Sequence, residues 1–310
     1  MSHVSDTLFP SSLLSNSPKH DDRFDTKLPL GQGLTPIQLS SLRQSEAELD
    51  QHHAEKLHAE HAVFAQLSPD LVQRATNVLL PYINADRLAR VDDVLKNRTT
   101  HCRFLFENPI NPSNVWACLR TIESFGIQHI HVVVESGKYS GVAAINQKRG
   151  MRTAMGSAKW LTLKNYASTM DAIAEIKKQK YLIYASDLNP NSKDVRDVDW
   201  NAGPICVCMG NEGHGISEEL RQHADVTFTL PMVGFAESFN LSVATAITLA
   251  HMSAASGRGE TGPIRPGYME DHERNCLRLK WLLNSLPQKK MGRALLRREG
   301  IELPNMINSL

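Results

Sequence analysis

The sequence predicts an α/β fold, with a mainly parallel sheet covered by helices on both faces. Two observations carry this. Short apolar runs recur at Cys102–Glu107, His129–Val134, Trp160–Leu163, Tyr181–Ser186, Pro204–Gly210 and Val226–Leu230, each of strand length. Helical patterns stand between most of them, at Ser113–Phe125, Ser168–Lys178 and Ser217–His223, and a longer one follows at Asn240–Ala255. The composition agrees: 310 residues, 41% hydrophobic and 22% charged, support a sizeable core and exclude global disorder.

In chain order, residues 1–40 are rich in Ser, Pro, Gly and Asp without a sustained period, and read as a mobile leader. Residues 41–98 read as a helical N-terminal extension. A helical pattern runs from Thr35-Pro36, suited to N-cap and first turn, to Leu67; two further helices lie between Ser68 and Lys96, broken near Pro81. His52, His53, His58 and His61 fall in the first of these, but with no Cys and no fixed ligand spacing they read as a solvated face, not a metal site. Residues 99–256 hold the α/β domain. Ser256–Pro266 is a Gly/Pro-rich connector, and residues 257–310 form a basic helical tail centred on Glu270–Arg298.

Charge and cysteine usage narrow the function classes. A net charge of +1 gives no overall attraction to nucleic acid, so an RNA surface must come from local clusters. Five scattered cysteines fit neither a disulfide framework nor a zinc site; Cys206 and Cys208, alternating in an apolar strand, read as small core residues. No apolar stretch is long enough to span a membrane, and Met1–Pro10 lacks the features of a secretory signal. Asp6, Asp21, Asp22 and Asp25 speak against a transit peptide, so a cytoplasmic location is expected, with organellar targeting left open.

Three segments have the character of a site. Glu107–Asn114 closes a strand and opens a helix that carries Arg120, at the strand end where parallel sheets bind ligands; alone it is also an ordinary Pro/Asn turn. Ile205–Ser217 runs from a buried strand into a Gly-rich loop that matches neither a Walker loop nor G-x-G-x-x-G. Leu230–Asn240 is a Pro-Met-x-Gly loop with no evident hydrogen-bond ladder, followed by a helix with small residues at its start, for which Ser238 and Asn240 read as caps.

In this order and separation the segments resemble the SpoU (TrmH) family of tRNA and rRNA ribose methyltransferases, of the SPOUT superfamily, over about residues 86–300. Asn114 and Arg120 match the first motif of that family. Gly210, Glu212, Gly215, Ile216 and Ser217 match G-x-E-x-x-G-[LI]-S, and Leu230–Ala244 match the third, with Phe239 and Leu241 as mild departures. Arg87–Leu95 and the basic tail are similar to the branch that modifies a guanosine of the tRNA D-loop.

The resemblance implies a C-terminal trefoil knot, which general topology rules would not have proposed, a homodimer, and S-adenosyl-L-methionine as methyl donor. It implies donor contacts from Met209, Gly210, Gly215, Leu230, Met232 and Phe239, and catalytic duty for Asn114, Arg120, Glu212, Ser238 and Asn240. Arg120 is assigned there as base or as phosphate anchor; a guanidinium has no lone pair to offer, which favours the anchor. Asn114 and Asn240 would orient the ribose, and Glu212 and Ser238 brace the loops. RNA contacts are expected from Arg274, Arg278, Lys280, Lys289, Lys290 and Arg293, with Lys148, Arg149 and Arg152 as a second patch. Alternatives are the same reaction on rRNA and a non-catalytic RNA-binding or assembly protein on this fold. The missing dinucleotide fingerprint disfavours an oxidoreductase.

Overall fold

Ser68 and Asn84 each start a helix by accepting from backbone N–H groups that have no partner within it. In this computed structural model, which describes residues 64–110, 112–135, 156–257, 262–288 and 290–304, Ser68 Oγ accepts from Leu71 N–H at the head of α1 (Pro69–Leu79). Asn84 Oδ1 accepts from Asp86 and Arg87 N–H at the head of α2 (Ala85–Lys96). A 3₁₀ turn, Leu80–Tyr82, separates them and carries Pro81, where the break was expected. The leader, the histidine-bearing stretch and Lys148, Arg149 and Arg152 lie outside the described residues.

The sheet follows, interleaved with helices: β1 (Thr99–Glu107), α3 (Pro112–Ser124), β2 (Ile127–Val133), β3 (Thr162–Tyr166), α4 (Thr169–Lys178), β4 (Leu182–Ser186), β5 (Lys193–Asp194), β6 (Ile205–Met209), α5 (Glu218–His223), β7 (Val226–Thr229) and α6 (Leu241–Ala255). Its order is β3-β2-β1-β6-β4-β7-β5, with every pairing parallel. Central β1 is buried along its whole length, as a strand covered on both faces must be. Cys102, Phe104, Phe106, Val207 and Met209 join a core with residues of α3 and α6. Leu105, Cys206, Cys208, Ile183 and Ala185 join another with α4 and α5, so Cys206 and Cys208 are core residues on one face.

Three details differ from the sequence reading. Trp160 ends a 3₁₀ turn, Ser157–Trp160, and β3 begins at Thr162. The Trp160 ring lies edge-on against Trp281, 5.7 Å between centroids, so tertiary packing overrides its strand propensity. Two-residue β5 is too short to show a period. Among the described residues the C-terminal tail forms two helices, α7 (Asp271–Leu283) and α8 (Met291–Arg298), with Pro287 between them.

Those two helices share a third core with α1 and α2, built from residues including Leu79, Val91, Leu95, Leu279, Trp281 and Leu296. Arg98 ties this layer to the sheet. Its buried guanidinium pairs with Glu123, donates to the Ile127 carbonyl and lies 5.2 Å from the Trp281 ring centroid.

Candidate functional site

The turn after β6 is closed by its own backbone. Asn211 N–H donates to Gly215 O (2.8 Å) and Gly215 N–H returns to Asn211 O (2.9 Å), bringing the limbs of the loop together. Only glycine fits at 210: an added Cβ would stand 2.3 Å from the Gly215 carbonyl carbon and 2.5 Å from Ile216 N, both backbone atoms. Asn211 Oδ1 accepts from Gly213 and His214 N–H, and its amide donates to Asn108 O at 2.6 Å, fastening the turn to the end of β1. Asn108 holds a left-handed φ of 47°, a conformation Asn tolerates better than most residues.

The three motif segments meet in one chain of side-chain hydrogen bonds. Glu212 accepts from Ile110 N–H (2.7 Å) and from Asn114 Nδ2 (3.1 Å). Asn114 Oδ1 accepts in turn from Asn240 Nδ2 at 3.0 Å. Asn240 also caps α6, its Oδ1 accepting from Ser242 N–H (2.9 Å) and Ser242 Oγ–H (2.7 Å). The cap belongs to Asn240 alone; Ser238, read from sequence as a second cap, lines the cavity instead.

Beside this chain lies a cavity of about 340 Å³ at the carboxyl ends of β4, β6 and β7, where parallel sheets open to ligands. Met209, Leu230, Leu241 and Ala244 give it an apolar side. Among the described residues its charged lining is acidic, Asp187, Glu212 and Glu237, with no Lys or Arg. Asp187 is matched by Arg221 at 2.8 Å, while Glu237 is exposed. An apolar wall with a carboxylate rim suits an organic ligand that carries positive charge.

All six residues expected to contact a donor (Met209, Gly210, Gly215, Leu230, Met232 and Phe239) line this cavity, as do Glu212 and Ser238. Asn114 and Asn240 adjoin it through Glu212. Arg120 is not among the lining residues. It is exposed on α3, and six residues beyond Asn114 a helix has turned by about 240°.

The expected RNA contacts are less alike in the structure than in the sequence. Arg278 forks onto Asp92 with bonds of 2.6 and 2.8 Å, and Arg274 bonds Asp271 and the Met269 carbonyl. Lys280, expected to contact RNA, is buried, because its position on α7 turns into the helical core. Lys290 is exposed, Arg293 is half-buried and donates to Pro304 O, and Lys289 lies outside the described residues. Sequence reasoning missed Asp187 and Leu188; their one signal was a place just beyond a parallel strand.

Comparisons with known proteins agree with this fold. A family model described as the SpoU rRNA Methylase family matches residues 101–250. The chain is 34% identical over 163 residues to the tRNA (guanosine(18)-2'-O)-methyltransferase of Thermus thermophilus, covering 53% of this chain and 79% of that one. It is 29% identical over 212 residues to the protein of the same name from Borreliella burgdorferi, covering 68% of this chain and 91% of that one. Among solved structures it is similar to the A. aeolicus TrmH/SpoU tRNA modifying enzyme, with a TM-score of 0.56 and 28% identity, over 66% of this chain and 98% of that one.

Proposed function

Because the chain belongs to the SpoU methylase family, we propose that it is an RNA 2′-O-methyltransferase that takes its methyl group from S-adenosyl-L-methionine and acts on tRNA, at a guanosine of the D-loop. The observation that carries this reading is the bonded series Glu212–Asn114–Asn240, which draws all three motifs to one rim of an acid-lined cavity. The names of the similar tRNA enzymes favour tRNA over rRNA.

The residues present fit the donor. Apolar groups at Met209, Leu230 and Leu241 would hold its adenosine, the tight turn at Gly210 lets backbone approach closely, and the carboxylates favour a cation. When bound, the donor supplies an electrophilic methyl on a sulfonium. The chain's own task is to orient a ribose hydroxyl, since alignment supplies much of the rate in a displacement. Asn114 and Asn240 are held for that by Glu212 and the α6 cap.

Arg120 enters this reading as anchor of a neighbouring phosphate, contributed across the interface of a homodimer. Two features support a dimer. Helix α6 is apolar around its circumference yet leaves Val243 exposed, and the loop before it holds Val233 and Phe235 fully in solvent. The trefoil knot belongs to the same reading and is supported by the meeting of the β6 and β7 turns around one cavity. Lys290 and Arg293 would add RNA contacts from the tail, and the cytoplasm is the proposed compartment; among the described residues no helix is long and apolar enough to cross a membrane.

Purified protein, labelled donor and total tRNA provide the test, with mass spectrometry locating the product. A 2′-O-methylguanosine in the D-loop is expected, and Arg120→Ala and Asn240→Ala should each remove most transfer while leaving the fold intact. Full activity in both variants would refute the site. RNA binding without transfer by the unaltered protein would favour the non-catalytic alternative.

A further inference from the structure

Glu107, the last residue of β1, is a buried carboxylate that the reading above does not use. Its side chain does not line the cavity, and only 2% of the residue is exposed. Three donors converge on it. Oε1 accepts from Thr169 Oγ1–H (2.7 Å) and Ser217 Oγ–H (2.6 Å), and Oε2 accepts from Ser217 N–H (2.7 Å). Among the described residues no ion pair joins it, so these hydrogen bonds stand in for the lost water.

The partners give it a function. Ser217 follows Gly215-Ile216 and is the N-cap of α5, its Oγ accepting from Leu220 N–H at 3.1 Å. With that acceptor place taken, the hydroxyl proton is directed to Glu107, and the exit of the Gly-rich turn is held from both sides. The entrance is held one residue further along the β1 exit, where Asn108 O receives the Asn211 amide. Thr169, the first residue of α4, completes the grip from a third element.

We propose that Glu107 is a positioning residue for methyl-donor binding: through Ser217 it sets the Gly-rich turn at the spacing the donor requires, without touching the donor. This rests on the donor reading of the cavity.

Calorimetry with S-adenosylhomocysteine on the full chain, Glu107→Gln and Ser217→Ala tests it, together with steady-state kinetics and thermal melting. Glu107→Gln keeps the shape but either turns its N–H₂ toward Ser217 N–H, which can only donate, or presents it to the two hydroxyls, which must then reverse from donor to acceptor. The expected result is a donor affinity lower by about tenfold in each variant, with the double variant losing less than the product of the two. The KM for donor should rise while kcat at saturating donor and the KM for tRNA stay near their original values. Unchanged product affinity in the variants would overturn the proposal, as would a parallel rise of both KM values following lost thermal stability. If Glu107→Gln does not fold, the milder Ser217→Ala decides by the same criteria. No heat from the unaltered protein would instead remove the donor reading, and this proposal with it.

Discussion

The two turns that face each other across the cavity are built in opposite ways. Met209–Gly215 is closed on itself by paired backbone bonds and fastened to β1 through Asn211, to the start of α3 through Glu212 and, just past its end, to Glu107 through Ser217. Pro231–Phe239 has nothing comparable. Among the described residues none in this stretch makes a hydrogen bond, and all but Met232 are exposed. One wall of the cavity is therefore shaped by the chain itself. The other offers free N–H and C=O groups and bare apolar side chains to whatever meets it, whether donor or second copy.

The most disruptive way to probe this contrast is Gly210→Ala. Its methyl group would overlap backbone of the opposite limb, which has no flexible side chain to give way. Donor affinity should fall by more than about a hundredfold. Calorimetry with S-adenosylhomocysteine would read this; near-normal affinity would mean that the turn is far looser than its bonds imply.

Asn211→Ala comes next. It removes the 2.6 Å bond to Asn108 O and two acceptor contacts inside the turn. Chemical denaturation should register about 2 kcal/mol of lost stability, because backbone groups are left without partners in a buried place. An unchanged midpoint would show that the β1 exit holds the turn without it.

The contrast between the turns also governs what was legible in the sequence. Glycine spacing and the Pro-Met-x-Gly pattern marked both turns because a tight backbone approach leaves few alternatives in residue type. The partnerships that pin the first turn were not visible. Glu107 and Ser217 stand 110 residues apart, and only strand order β1-β6 makes them neighbours. The same applies to the tail. Arg278 counts as a free cation in a charge tally until the fold brings Asp92 to it, and Lys280 counts as solvated until α7 turns it inward. Local chemistry is written in local residues, whereas charge compensation and positioning depend on topology.

On the open turn, substitutions should act on association more than on folding. The Phe235 ring is fully exposed and absent from the cores. Phe235→Ser should leave the melting behaviour of the dissociated chain unchanged while weakening self-association by about tenfold. Analytical ultracentrifugation over a dilution series would read the shift. Identical sedimentation of variant and parent would take this loop out of the dimer interface.

The smallest effect is expected one residue earlier, at Gly234, and its smallness is what makes it informative. A Cβ added there finds nothing within 4 Å, and the backbone does not hold the left-handed φ that would penalise a side chain. Gly234→Ala should therefore change stability by no more than about 0.5 kcal/mol in the absence of ligand, and in the stabilising direction through reduced freedom of the unfolded chain. Placed beside Gly210→Ala, it asks whether the same methyl group, added to facing turns of one cavity, is decided by contact or by residue type. If Gly234→Ala lost stability or donor affinity as Gly210→Ala should, the exposed loop would have to close against the chain in solution, and the contrast between a formed and an unformed wall would not stand.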